Sequence, residues 1–95
     1  MDKLKQDLSI GKNIQKLRKA RNLSQKDMTI RMNLQGRMIS ISGYAHIEQG
    51  RQNLYVSDLI MIQEILGVPY EAFFEGLTPN KDAPDIWKVA KMRKQ

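Results

Sequence analysis

Residues that could take part in nucleophilic, acid–base or metal chemistry do not form a recognisable set in this 95-residue chain. The sequence has one histidine, His46, and no cysteine, which excludes disulfides and a cysteine-bound metal. It also has no glycine-rich phosphate-binding motif. Because catalysis needs a nucleophile or acid, a base and an orienting group in one place, we expect no enzyme activity, no metal and no cofactor.

Glu48 is the residue whose position calls for a chemical explanation. It is the acid in segment 40–50, SISGYAHIEQG, whose other residues are small, apolar or polar. A carboxylate at the end of a helix meets the negative pole of the helix dipole. If it is partly buried, it also needs a cation, and a guanidinium can supply two hydrogen bonds. The pattern therefore predicts a basic partner for Glu48; the alternative is a solvent-facing glutamate with no partner.

The positive charge of the chain is concentrated in its first half. Residues 1–51 hold eleven lysines and arginines against four acids, whereas residues 52–95 hold five against six. Such an imbalance favours a polyanionic partner, either a nucleic acid or an anionic membrane surface. Charge alone does not distinguish a nucleic acid from a membrane surface. The third interpretation is a solvated basic surface that binds neither.

Apolar residues recur at the helical period, which predicts a helical protein. In the first helix Ile10, Ile14 and Leu17 share a face; Ser9 is placed to cap its start, and Asn22 suits a left-handed residue at its end. A second helix would begin after Ser24, with Asp27 completing a capping box, and would end at Gly36. Residues expected on its inner face are Met28, Met32 and Leu34.

Three further helices complete the predicted bundle. Ser40 is placed to cap the third helix, which Gly50 ends. Ser57 is placed to cap the fourth, which ends at Gly67. This helix is apolar nearly all round and is therefore expected in the middle of the bundle; its apolar residues are Leu59, Ile60, Ile62, Ile65 and Leu66. Pro69 suits the first turn of the fifth. The residues expected to close the core are Tyr70, Phe73 and Phe74.

The composition changes after residue 76. LTPNKDAPD has the composition of a linker, and DIWKVAKMRKQ follows it. This last segment is either a short amphipathic helix, with Ile86, Val89 and Ala90 on one side, or a frayed basic tail. We therefore divide the chain into a domain of residues 1–76 and a linker with tail of residues 77–95.

Three ordered segments resemble a known family. LRKARNLSQKDM, then YAHIEQGRQN, then LIMIQEILGVPYEAFF are similar to the lambda-repressor-like, xenobiotic-response-element type helix-turn-helix DNA-binding domain. The resemblance covers residues 10–74. It implies an all-α, compact five-helix bundle whose third helix enters the major groove of double-stranded DNA.

The resemblance also implies roles for individual residues. It pairs Arg18 with Glu48 as a structural ion pair. It assigns base reading to Ser42, Gly43 and His46, with Ile41 and Gln49 at the margins. It assigns phosphate contacts to Gln25, Arg51, Gln52 and Asn53. In this reading set Ser42 can form one hydrogen bond and His46 can reach a guanine acceptor, whereas Ile41 can only touch a thymine methyl group. Specificity is therefore either modest or dependent on DNA shape. The alternative for His46 is an ordinary surface histidine that contacts no base.

The chain departs from the family pattern between the second and third helices. About five additional residues lie in NLQGRM, which brings Arg37 towards the basic side of the domain. Arg37 is then either a further phosphate contact or part of an inert insertion. The usual entry to the third helix resumes at Ile39 and Ser40.

These observations favour a transcriptional regulator of bacterial or phage type, a repressor in the first instance, that acts as a homodimer. Its dimer surface would include Phe74, Leu77, Ile86 and Trp87; the alternative is that these residues complete the core of the monomer. The alternative is a protein-interaction module on the same fold, such as an antitoxin or phage accessory protein; membrane-surface binding by the tail is a weaker third. No apolar run could span a membrane, and MDKLKQDLS lacks a signal-peptide core. We therefore expect a cytoplasmic protein with no membrane partner and no small-molecule ligand.

Overall fold

The computed structural model describes residues 10–51 and 54–78 and the backbone of residues 3–4. The helices of these described residues are α1 Gly11–Ala20, α2 Gln25–Leu34, α3 Ile41–Glu48, α4 Val56–Leu66 and a 3-10 helix, Tyr70–Phe74. Strands β1, Lys3–Leu4, and β2, Leu54–Tyr55, form a short antiparallel pair. The described part is compact and mostly helical, which confirms the all-α class expected from the sequence.

Local capping signals fix several helix ends where the sequence predicts them. The Ser24 hydroxyl accepts a hydrogen bond from the Asp27 backbone N–H at 2.9 Å, and the Ser24 N–H donates to the Asp27 carboxylate at 2.8 Å. Ser40 likewise accepts from the Gly43 N–H at 3.0 Å. Asn22 and Gly67 close α1 and α4 with positive φ angles of 58° and 63°. These ends are set within a few residues of the chain, so they could be predicted without knowing the fold.

Other predicted helix bounds were wrong. Helix α4 begins one residue before Ser57: the N-cap position is Tyr55, and its N–H donates to the Asp58 carboxylate at 3.3 Å. Helix α1 has Ile10 at its N-cap position, with no side-chain cap; Ser9, the predicted cap, lies outside the described residues.

The predicted fifth α-helix is instead the 3-10 helix. Ala72 N–H donates to the Pro69 carbonyl three residues back, at 3.1 Å. The Asn13 side chain then donates to the carbonyls of Phe73 and Glu75 at 2.8 and 3.1 Å. This short segment is thus held by α1 as well as by its own turn, and short runs are where 3-10 geometry is usual.

One apolar core fills the space between the helices. Helix α3 packs against α1 and α2, and α2 also packs against α4. The buried apolar residues are Ile10, Ile14, Met28, Met32, Tyr44, Ile47, Leu54, Leu59, Ile62, Leu66 and Phe73. Each helix contributes one face to this core, as the helical period requires.

Some residues expected in the core lie on the surface instead. Leu34 is 82% exposed, and Ile60 is 43% exposed. Each is two residues from a buried neighbour, Met32 or Ile62, so it lies about 200° around the helix from it. Tyr70 and Phe74 are also exposed, and Phe73 alone of the three predicted aromatic residues is buried. Helix α4 is therefore amphipathic rather than central.

Packing against the core continues past residue 76, the predicted end of the first domain. Leu77 packs partly buried against the core, and its N–H donates to the Phe74 carbonyl at 3.1 Å. The boundary at residue 76 stays a prediction, since residues 79–95, including Ile86 and Trp87, lie outside the described residues. No helix in the described part of the chain is long and apolar enough to cross a membrane.

Candidate nucleic-acid interface

The N-terminal end of α1 lies directly against the C-terminal end of α3. Gly11, the first residue of α1, is buried, and a Cβ atom at this position would overlap the backbone carbonyl of Glu48. Arg18 follows Gly11 by seven residues, about two helical turns, and so lies on the same side of α1. This close approach of the two helices brings the Arg18 side chain to the end of α3.

Arg18 and Glu48 form the ion pair that the resemblance implies. Arg18 Nε donates to Glu48 Oε2 at 2.7 Å, and a second guanidinium nitrogen, Nη2, donates to Oε1 at 3.1 Å. The third nitrogen, Nη1, donates to the backbone carbonyl of Leu23 at 2.8 Å. Both side chains are buried, at 7% and 3% exposure. The pair therefore joins α1, the α1–α2 turn and α3 through one planar group.

Two further side chains complete the network around Glu48. Gln25, in the first turn of α2, donates from Nε2 to Glu48 Oε1 at 3.1 Å. The buried Tyr44 hydroxyl lies near the same carboxylate, but outside the geometry of a full hydrogen bond. The carboxylate thus receives donors from α1 and α2 while it belongs to α3, so all three helices meet at one acid.

The charge states of this network are fixed by its surroundings. Burial raises the pKa of the Glu48 carboxyl, but the hydrogen bonds from Arg18, the nearby Tyr44 hydroxyl and the hydrogen bond from Gln25 outweigh this and leave its pKa below the ordinary value. The hydrogen bonds to Glu48 raise the pKa of Arg18, and burial raises the pKa of Tyr44. At neutral pH the pair is therefore fully ionised and the phenol is protonated.

Helix α3 has a buried side and an open side. Tyr44, Ile47 and Glu48 are buried. The predicted base-reading residues on the other side are exposed: Ile41, Ser42, His46 and Gln49. Ala45 lies among them and is partly buried. The open side therefore presents a hydroxyl, an imidazole, an amide and an aliphatic group on one helical surface.

Gly43 does not belong to this open side. A Cβ atom there would lie 3.1 Å from the Ser40 hydroxyl and 3.2 Å from Ile39 Cγ1. The residue is partly buried and lies on the flank of α3, against the residues that begin the helix. Its backbone N–H is occupied by the Ser40 cap. We therefore remove Gly43 from the base-reading set and assign it to the start of the helix.

The predicted phosphate-contacting residues have different surroundings. Arg51 is exposed just beyond α3, and its N–H donates to the His46 carbonyl at 2.9 Å. Gln25 is partly buried, and one N–H of its side-chain amide donates to Glu48; the second N–H of the same nitrogen is the donor that could contact a phosphate. Gln52 and Asn53 lie outside the described residues.

Arg37 does not extend the basic surface. Its Nε donates to Asp58 Oδ1 at 2.8 Å and its Nη2 to Oδ2 at 3.4 Å, while Nη1 donates to the Met38 carbonyl at 3.4 Å. Every guanidinium nitrogen thus has an acceptor within the protein. We correct the predicted phosphate role of Arg37, because its charge is neutralised by a buried acid.

Asp58 is the residue that sequence reasoning missed. It is fully buried, yet in the sequence it is one acid at the start of a helix, where exposed acids are common. The local signal for its bond to the Tyr55 N–H is its position, because an acid three residues after the N-cap can accept that N–H. The partner Arg37, twenty-one residues earlier, could not have been found from local patterns.

Comparisons of the chain with family models, with curated proteins and with solved structures gave no match. The resemblance described above thus depends on the quoted motifs and on the geometry that accompanies them.

Proposed function

We propose that the protein is a sequence-selective DNA-binding regulator, a repressor of bacterial or phage type, with α3 as its reading helix in a helix-turn-helix. The observation that carries this proposal is the arrangement of α3. Its inner side is held by the Arg18–Glu48–Gln25 network, while Ser42, His46 and Gln49 stay exposed on its outer side. An α-helix fits the major groove, where base edges present a distinct pattern of donors and acceptors.

The proposed contacts divide into backbone and base contacts. The Arg51 guanidinium would bind a phosphate at one end of α3. The second side-chain N–H of Gln25 would donate to a phosphate at the start of α2, where exposed N–H groups favour anions. His46 would donate to a guanine acceptor, and Ser42 or Gln49 would bond neighbouring base edges. Ile41 would contact a thymine methyl group.

A homodimer follows from the size of the domain. One small domain covers little DNA surface, and two-fold pairing on half-sites about 34 Å apart is the usual way to gain affinity. Tyr70 and Phe74 are exposed on the 3-10 helix, which supports the surface predicted from the sequence at this end of the domain. In this proposal the protein acts in the cytoplasm.

A protein-interaction module is the second candidate, and one observation favours it. Leu34 is 82% exposed and Met38 is 78% exposed, both beside the turn between α2 and α3. Exposed apolar residues that lie together mark surfaces that bind another protein, whereas single ones are ordinary; Leu34 and Met38 are only four residues apart in the chain. An antitoxin or a phage accessory protein would use this surface and leave α3 without DNA.

A salt-titrated mobility-shift measurement separates the two candidates. The regulator should bind mixed duplex DNA at low salt, with an affinity that falls steeply as salt rises. Replacing Arg51 by methionine should weaken binding on all sequences and lower the slope of log Kd against log salt by about one. Arg31→Met is the matched control: it removes the same charge from an exposed position that lines the groove between α2 and α4, so it should change binding less.

The opposite results would favour the interaction module. These are negligible DNA binding even at low salt, or equal losses for Arg51→Met and Arg31→Met. Equal losses would mean that only net charge matters and that no particular surface faces the duplex.

A further inference from the structure

The loop between α2 and α3 is held by a set of side-chain contacts that the proposed function does not use. Arg37 donates two hydrogen bonds to Asp58, at 2.8 and 3.4 Å. Asp58 is 0% exposed and also accepts the Tyr55 N–H at 3.3 Å. The Arg37 guanidinium carbon lies 5.6 Å from the centre of the Tyr55 ring. The loop is therefore attached to the start of α4 by an ion pair, reinforced by a cation–π contact.

The same loop is also attached to α2. The Asn33 side chain donates to the Thr29 carbonyl at 2.6 Å and to the Ile39 carbonyl at 3.0 Å. The Arg37 N–H donates to the Met32 carbonyl at 3.0 Å. Ile39 immediately precedes Ser40, the N-cap of α3. These bonds join the residues that lead into α3 to the end of α2.

We propose that Arg37 is a positioning residue: with Asp58 and Asn33 it fixes the N-terminal end of α3, as Arg18 fixes the C-terminal end through Glu48. The lengthened loop is then a brace for the reading helix and not an inert insertion. The consequence for DNA binding depends on the function proposed above; the consequence for α3 itself does not.

Two roles for Arg37 make opposite predictions. A phosphate-binding arginine works through its charge, whereas a positioning arginine works through its bond to Asp58. Asp58→Asn frees the guanidinium from its acid. It should strengthen or preserve DNA binding in the first case and weaken it in the second. Arg37→Lys keeps the charge but loses the planar fork, so it should preserve binding in the first case only.

The experiment measures Kd for duplex DNA and amide chemical shifts of the free protein for five variants. Three single variants are Arg37→Met, Arg37→Lys and Asp58→Asn. Because an unpaired buried Asp58 can unfold a small domain, the double variant Arg37→Met/Asp58→Asn removes both charges together. Arg31→Met, which loses the same charge from an exposed position, is the control. All Kd values are taken at a temperature where each variant is folded.

The brace predicts that Asp58→Asn, Arg37→Lys and the double variant each raise Kd by about tenfold, the effect of a coupled contact. The amide signals of residues 39–43 should shift in the same variants without DNA, and Arg31→Met should change neither quantity comparably. Binding preserved in both Arg37→Lys and Asp58→Asn would overturn the proposal, as would unmoved amide signals in the double variant.

The two readouts separate the failure of this inference from the failure of the proposed function. If the wild-type protein does not bind DNA but the amide signals of residues 39–43 move, then the brace exists and the proposed function is wrong. If DNA binds and the signals stay in place, the brace is wrong and the proposed function is unaffected.

Discussion

At the scale of single residues, Glu48 shows how one carboxylate can organise three helices. It belongs to α3 and receives hydrogen bonds from Arg18 of α1 and Gln25 of α2. A buried ion pair of this kind adds little net stability compared with apolar packing, because desolvation offsets the attraction. Its value is that it specifies where the helices meet. Removing either partner leaves a buried charge and is costly.

The pH dependence of stability tests this network. The native pKa of Glu48 is lower than its ordinary value of 4.5. The ionised Glu48 carboxylate therefore contributes its full stabilisation at pH values above 4.5. The effect is lost as pH falls through the lower native pKa. Glu48→Gln should lower the free energy of unfolding by about 3 kcal/mol at neutral pH.

This loss should shrink as the medium is acidified below pH 4.5. Urea unfolding of the wild type and of Glu48→Gln at a series of pH values measures this difference in the free energy of unfolding. Glu71→Gln, which changes an exposed glutamate of the 3-10 helix, is the control and should have little effect at any pH. A loss for Glu48→Gln that is the same at neutral and acid pH would contradict the assigned charge state.

At the scale of elements, the position of α3 depends on its contact with α1. Gly11 permits this contact, since a side chain there would overlap the carbonyl of Glu48. Two helices can approach at their backbones only where such a small residue lies between them. The same close approach brings Arg18 within reach of Glu48, so packing and ion pairing support each other.

Gly11→Ala should therefore destabilise the protein, although alanine is the better helix former. The added methyl group must push α1 away from α3, at a cost of about 3 kcal/mol. Thermal and urea unfolding measure this. Lys12→Ala, at the exposed neighbouring position, is the control and should change stability by less than about 0.5 kcal/mol. A Gly11→Ala protein as stable as the wild type would show that the two helices are not held in this contact.

Local patterns predicted the helices well, and contacts distant in the chain poorly. The caps at Ser24 and Ser40 and the left-handed Asn22 depend on neighbouring residues, so their positions could be read from the sequence. The strand pair joins residues about fifty positions apart and contains two residues on each side, too few to show an alternating pattern. The prediction of a fifth α-helix was wrong; the segment is a 3-10 helix whose Phe73 carbonyl accepts a hydrogen bond from Asn13 of α1, a contact that local patterns do not show.

At the scale of the whole molecule, the candidate site was predicted in part. Ile41, Ser42, His46 and Gln49 lie on the exposed side of α3 as the helical period indicates. Gly43 lies on the flank and Arg37 is paired to a buried acid. The helical period predicts which way a side chain points from its own helix. It does not predict which other elements pack against that side of the helix. For the same reason Leu34 and Ile60 were expected inside and lie outside.

In the proposed function, the fixed position of α3 is useful only if the outer side of this helix contacts DNA. Both ends of the helix are held, by Glu48 at one end and by the loop containing Arg37 at the other. The lysines of α1 and α2 are exposed and would add nonspecific attraction to a duplex; they are Lys12, Lys16, Lys19 and Lys26. Selectivity must then come from α3.

Selection of bound sites from random duplexes, with the wild type and His46→Ala compared in parallel, tests that claim most directly. The wild type should select a two-fold symmetric motif with half-sites about one helical turn apart. His46→Ala should lose preference at one position in each half-site and keep the others. Two results would contradict the assignment of the outer side of α3 as the reading surface. The first is that no motif is selected. The second is that the wild type, His46→Ala and a further variant, Ser42→Ala, all select the same motif.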